Sequence, residues 1–333
     1  LKTMARAWEG TSARLLRQAQ GAPADAGLGL IIQRMSPQPG RGQRGNGLIQ
    51  FIDPENLILE QIAGGDYDGC EGPLWVHNDE GGYLLYGAVH TNIVYKWTPA
   101  KGAVEYKNPS NEASAFVPDP HNPGAFLVPE QTTRRIVRYN TNGTVTTVAD
   151  QYQGKSFNRP NDLVLHSDGS LWFSDPDWLF KQRPEEIKEL DAQHIFRIDL
   201  KTGAVNSMDA SLNKPNGIAF SHGERYLYAT DSPTPRIYRW PVLPNKTLGP
   251  RETFASLAEN GLDGIKFDKL GNLWVAAKQH VFIISPQGVP FAKIAVPIKP
   301  TAIAFGGPRN QTPYITTRKA VFRLTTPLEG EPG

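Results

Sequence analysis

Cysteine is almost missing from this chain: Cys70 stands alone, which excludes an intramolecular disulfide and leaves the redox compartment open. Long apolar runs are missing too. The longest, such as 26–32 (AGLGLII), fall far short of the roughly 20 residues that cross a bilayer as a helix. Neither sign of charge dominates, because 35 basic residues stand against 33 acidic ones for a net +2. No basic run is dense enough for a nucleic-acid surface. A G-x-S-x-G nucleophile elbow, a P-loop and a dinucleotide fingerprint are all absent from a fitting context. No signal peptide is visible at Leu1, so the expectation is a processed or trimmed soluble chain, cytoplasmic or periplasmic/secreted. Asn-x-Thr sequons at Asn142, Asn245 and Asn310 matter only in a eukaryotic secretory pathway.

What the chain has in quantity is turn residues. Its 333 residues hold 32 Gly and 28 Pro, a load that favours many short strands over long helices. Residues 1–45 read as an extension that is partly flexible, with a short helical stretch around Ser12–Gln20 and a Gly/Pro/Arg lead-in at 36–46. From there the sequence repeats itself. Residues 159–173 (RPNDLVLHSDGSLWF), 214–228 (KPNGIAFSHGERYLY), 261–275 (GLDGIKFDKLGNLWV) and 299–315 (KPTAIAFGGPRNQTPYI) share one pattern. Each is an alternating strand, a turn and a second strand rich in Leu, Trp, Tyr or Val. Degenerate copies begin at EGPLWV (71–76) and SAFVPD (114–119). These six units predict an all-β fold, a six-bladed β-propeller over 46–330, with material from 46–62 closing the ring against the last blade. A β-sandwich of similar strand density does not predict sixfold self-similarity.

The first residue of each inner strand is Glu71, Ser114, Asn161, Asn216, Asp263 or Thr301, at spacings of 43, 47, 55, 47 and 38. Inner strands of a propeller surround the axis, so these positions should form a ring at one mouth. All six side chains bear oxygen, although their neighbours are mostly apolar. The two carboxylates and two carboxamides, Glu71, Asp263, Asn161 and Asn216, are the donor set a hard divalent cation takes. Read singly, each Asn or Asp also fits a strand start that satisfies local backbone groups. The lack of Cys or His in the ring argues against a structural zinc site.

The second strand of each hairpin returns to the same mouth, 14 to 17 residues after the ring. That rule brings back Glu130, Asp175 and Asp231, along with Ala88, Ala277 and Thr317. Asp175 and Asp231 are expected to orient the ring amides from behind. His90, just beyond the first return, is a candidate substrate contact. His166 and His222 fall in hairpin turns and are expected to face solvent. Trp75, Trp172 and Trp274 repeat within blades as core, and Trp178 is a candidate wall of the site.

At these residues the chain resembles the senescence-marker-protein (regucalcin)/gluconolactonase family, over roughly 47–325. The motifs that carry the likeness are EGPLW (71–75), RPNDLVLHSDGSLWFSDP (159–176), KPNGIAFS (214–221), YLYATDS (226–232), LDGIKFDKLGNLWVA (262–276) and AFGGP (304–308). The resemblance implies a six-bladed propeller with one divalent metal near the axis, calcium first, with Zn2+, Mn2+ and Mg2+ as alternatives. It implies Glu71, Asn161, Asn216 and Asp263 as the metal ligands, Asp263 as general base and Arg159 as a substrate contact. The chain departs from the bacterial pattern at Gly87-Ala88-Val89, Ser114-Ala115 and Pro129-Glu130-Gln131, all in the expected pocket wall.

The expected activity is metal-dependent opening of a sugar lactone to its aldonic acid, with Arg159, Glu130 and His90 binding the substrate. The expected partner is a small-molecule lactone, with neither nucleic acid nor membrane, and the chain a monomer or small homo-oligomer. Rival readings are an arylesterase or phosphotriesterase on the same metal ring and a non-catalytic calcium-binding propeller. A strictosidine-synthase-like propeller lacks this acidic set.

Overall fold

The computed structural model describes residues 28–29, 32–34, 58–178, 183 and 185–325. The expected helical stretch at Ser12–Gln20 and the 36–46 lead-in lie outside the described residues. Antiparallel sheets of four or five strands form the six blades of a β-propeller, and no α-helix occurs among the described residues. Blade one comprises Cys70–Val76, Tyr83–Ala88, Ile93–Thr98 and Gly102–Lys107. Blade two runs through Val117–Pro118, Phe126–Glu130, Arg135–Tyr139 and Val145–Ala149. Blade three is Leu163–Leu165, Leu171–Asp175, His194–Ile198 and Val205–Asp209, and blade four is Pro215–Phe220, Tyr226–Asp231, Arg236–Pro241 and Glu252–Ser256. Blade five holds Ile265–Phe267, Leu273–Ala276, His280–Ile284 and Pro290–Ala295, and blade six holds Pro300–Gly306, Thr312–Thr317 and Ala320–Thr325.

Blade six is completed by Ile58–Gly64, which pairs antiparallel with Ala320–Thr325, as the sequence led one to expect of the 46–62 material. The expected N-terminal extension contributes more than that. Leu28–Gly29 extends blade six and Ile32–Arg34 extends blade five, each as a fifth strand.

The local code of a blade is plainest in its inner hairpin. In blade five, Asp268 accepts the amides of Leu270 and Asn272 and the indole N–H of Trp274. In blade three, Asp168 accepts from Ser170, whose hydroxyl accepts the indole N–H of Trp172. One aspartate thus sets the turn and fixes the first large core residue after it. The expectation that His166 faces solvent fails for a related reason. Its ring lies buried between Asp168, Nδ1 to Oδ1 3.0 Å, and Glu224 of the next blade's hairpin, so a turn histidine has become an inter-blade contact.

Apolar faces pack between neighbouring blades. Ala219, Tyr228 and Ile237 of blade four meet Ile265, Val275 and Phe282 of blade five in one cluster. Around the axis the inner strands come closer than side chains allow. A Cβ on Gly217 would stand 2.4 Å from the Asp263 carbonyl oxygen, and one on Gly264 would stand 2.9 Å from Ala302 Cα. That is why ring residues are followed by Gly72, Ala115, Gly217, Gly264 and Ala302. Asp162 is the exception, and its carboxylate turns the contact to use by accepting the Ile218 amide at 3.0 Å.

Candidate active site at one mouth of the propeller

The six ring positions stand beside one another in blade order. The Ser114 hydroxyl donates to the Asn161 carbonyl at 2.7 Å, and Gly264 N donates to the Thr301 carbonyl at 2.7 Å. Ser174 Oγ donates to Asn216 O at 2.7 Å, and Thr230 Oγ1 to Asp263 O at 2.9 Å. Thr301 Oγ1 reaches the Cys70 carbonyl at 2.5 Å. Gly72 lies against the Ser114 carbonyl and completes the circle. All four of these hydroxyls come from second strands or ring positions, and each indexes one blade on the next.

Glu71 and Asp263 are close enough to feel each other. Burial pushes the Glu71 carboxyl well above the ordinary range, and the Asp263 charge pushes it further. The compensating cation is Lys299, whose Nζ donates to Asp263 Oδ2 at 2.8 Å. Asp263 in turn holds the Lys299 ammonium above its ordinary value. Asn216 donates its amide nitrogen to Ser232 Oγ at 3.1 Å, which leaves its carbonyl oxygen as the atom available to a cation. The Ser232 hydroxyl in turn donates to the Leu262 carbonyl at 2.6 Å. Among the described residues no three His, Cys, Asp or Glu side chains gather as a metal-binding group. The ring offers a different set, two carboxylates and two carboxamides. That set suits a divalent cation, because the half-buried Glu71 and buried Asp263 carboxylates have one ammonium between them.

Asp175 and Asp231 come to the mouth, but they do not orient the ring amides. Asp175 Oδ2 accepts the Asn158 amide at 2.8 Å, and Asp231 Oδ1 accepts the Lys214 amide at 2.7 Å. They brace the backbone just ahead of Asn161 and Asn216, and Ser232 is the side chain that orients Asn216. Burial raises the Asp175 carboxyl to about 8.

Arg159, expected to touch substrate, has no exposed surface. Its Nη1 donates to Glu112 at 3.0 Å and its Nη2 to Glu186 at 2.5 Å. Arg183 bonds the other oxygen of Glu112. Glu130 is also fully buried, with Oε2 receiving Thr133 at 2.6 Å and Arg135 at 2.9 Å. His90 is exposed, and its ring lies over Gly69, two residues before Glu71. Trp178 is half-buried beneath the Lys214 ammonium, which also bonds Asp177.

Sequence reasoning missed Lys299, Glu112, Arg183 and Glu186. A signal did exist for two of them. The positions two before the ring are Gly69, Glu112, Arg159, Lys214, Gly261 and Lys299, so charge occupies four of six places in a second tier. Glu112 also carries a left-handed backbone, φ 59, fixed by Asn92 Oδ1 accepting its amide at 3.0 Å. Beneath the ring, a cavity of about 430 Å³ runs along the axis to the opposite face, lined by Gly72, Asp162, Gly264 and Ala302 just below the ring residues and by Lys266 deeper in. Burial lifts the Asp162 carboxyl there to about 6.

The family model described as SMP-30/Gluconolactonase/LRE-like region matches residues 70–319. A gluconolactonase of Zymomonas mobilis is 30% identical over 298 residues, covering 81% of this chain and 82% of the relative. A solved gluconolactonase from Xanthomonas campestris superposes with a TM-score of 0.75 at 24% identity, over 82% of this chain and 90% of its own. A calcium-binding regucalcin from Agrobacterium tumefaciens superposes with a TM-score of 0.67 at 22% identity, over 80% and 92%.

Proposed function

We propose a reaction from the premise that this chain belongs to the SMP-30/gluconolactonase/LRE-like family: the protein is a metal-dependent lactonase that opens a sugar lactone to its hydroxy acid. The observation that carries this reading is the pair of neighbouring carboxylates, Glu71 and Asp263, set in a ring with Asn161 and Asn216. These four residues would hold one divalent cation, calcium before zinc, manganese or magnesium. Such a cation, when bound, supplies Lewis acidity toward an ester carbonyl.

The remaining work falls to the chain. Lys299 holds Oδ2 of Asp263, so the proton would be taken at Oδ1. Asp263 takes a proton from the attacking water as its oxygen bonds to the carbonyl carbon. The ring C–O bond then breaks, and the proton passes from Asp263 to the departing oxygen. Asn216 is held in place by Ser232 and needs no reorganisation during the step.

The test is to strip metal with a chelator, add single divalent ions back, and assay gluconolactone and paraoxon side by side. Lactone turnover should vanish and return with metal. Asp263→Ala should lower kcat/KM by about 10²–10⁴, the usual contribution of a general base. Full activity in Asp263→Ala, or after chelation, would sink the assignment. Turnover of paraoxon alone would point to the esterase chemistry instead.

A further inference from the structure

The mouth is not evenly built, and the asymmetry concerns charge. Immediately after the second strand of each blade comes one residue at the rim: Val89, Gln131, Pro176, Ser232, Ala277 and Arg318, with Lys278 one residue further on in blade five. In four blades its amide donates to the carbonyl of the second-tier residue of the same blade, Val89 to Gly69, Gln131 to Glu112, Ser232 to Lys214 and Arg318 to Lys299. These four rim positions are therefore equivalent, and only Arg318 among them is a cation; in blade five Lys278 follows Ala277 at the same rim.

On the side of blades two to four, charge is used up within the protein. Arg159 and Arg183 share Glu112 and Glu186, Arg135 is spent on Glu130, and Lys214 and Lys188 are spent on Asp177. The side of blades five, six and one differs. There the second tier holds Gly261 and Gly69 on either side of Lys299; the His90 ring lies over the Gly69 place, and only the Gly261 place is left without a side chain. Arg318 borders the Gly69 place, since its carbonyl accepts the Gly69 amide at 2.7 Å. Lys278 borders the Gly261 gap, with its Cβ 3.9 Å from where a Gly261 Cβ would lie. Both side chains are exposed, and among the described residues neither has an ion pair or a side-chain hydrogen bond. The field of Arg318 registers at both Glu71 and Lys299, so its guanidinium stands within electrostatic reach of the ring.

We infer that this open, cationic sector seats a negatively charged substituent of the substrate, so that the preferred substrate is a sugar lactone bearing a carboxylate, phosphate or sulfonate away from the lactone carbonyl. The inference rests on the lactonase reading and adds the substrate's charge to it. The lactone carbonyl lies at the ring, and the acidic group reaches outward between Arg318 and Lys278, where desolvation is slight and the attraction is screened by salt.

The experiment compares kcat/KM for neutral gluconolactone with that for glucarolactone, which carries a carboxylate, and for 6-phosphogluconolactone, in wild type, Arg318→Gln, Lys278→Gln and the double variant. Arg318→Lys serves as the conservative control. Wild type should favour an acidic lactone, and the acidic-to-neutral ratio should drop at least tenfold in Arg318→Gln, further in the double variant, through KM. Arg318→Lys should recover part of it, and raising ionic strength should erode the wild-type preference. Which acidic lactone leads distinguishes a carboxylate seat from a phosphate seat. If neutral lactone is turned over without any acidic preference, or if the ratio is the same in all variants, the charged-substrate inference is overturned while the lactonase reading stands. If no lactone of either kind is turned over by the metal-loaded wild type, the lactonase reading itself fails.

Discussion

Asp175 shows how much one buried side chain can set. Its Oδ2 takes the Asn158 amide, its Oδ1 has no hydrogen-bond partner among the described residues, and burial lifts the carboxyl from 3.8 to about 8. In the unfolded chain the same group ionises near its ordinary value. Between about pH 4 and pH 8 the folded state therefore keeps a proton that the unfolded state has lost. Stability must fall as pH rises through that window, by up to about 1.4 kcal/mol per pH unit for one such group. Asp175→Asn keeps an acceptor for Asn158 and removes the titration, so its urea midpoint should vary less steeply with pH than that of wild type. Equal slopes would show that Asp175 is ionised in the fold. The ring residues were legible in the sequence because each opens a copy of the same repeat. The environment of Arg159 was not, since Glu186 lies 27 residues on in the connection between two strands, outside the repeat, and Glu112, 47 residues away, sits at a repeat position whose pairing the repeat does not give.

Among elements, the inner strands carry the tightest constraint. Gly264→Val would drive a side chain into Ala302 Cα and the Thr301 carbonyl oxygen, both 2.9 Å from the new Cβ and both backbone or nearly so. Overpacking of this kind costs about 1–3 kcal/mol, and here neither neighbour can yield without moving a strand. Chemical denaturation should report a loss of at least that size; a midpoint unchanged from wild type would mean that the inner strands are not so closely set. Strand order and blade number were readable from period and turn residues. Ser174 and Thr230 were not, because a hydroxyl that donates to the next blade looks, in sequence, like any Ser or Thr in a strand. The spacing of 55 before Asn216 did mark an insertion. The structure shows what it is for: the connection from Asp175 to His194 reaches back to Glu112 through Arg183 and forward to Lys214 through Asp177.

For the whole molecule, closure is the decisive event. Blade six needs Ile58–Gly64, so the N-terminal part of the described chain and its last strand are fastened in one sheet. Deleting 58–64 would leave the edge of Ala320–Thr325 bare and open the ring at blades six and one. Such a variant should melt well below wild type and associate through the exposed edge, as calorimetry and light scattering can check. A melting temperature matching the intact chain would mean that the circle does not depend on this strand. The links around the axis, four hydroxyl bonds, one amide bond and the Gly72 contact, carry a consequence of a different kind. Each leaf of this iris is keyed to the next, so the aperture that Glu71, Asn161, Asn216 and Asp263 surround cannot widen at one leaf alone. It dilates in concert or not at all, and the bore on the chemical side of the molecule is thereby a property of all six leaves together.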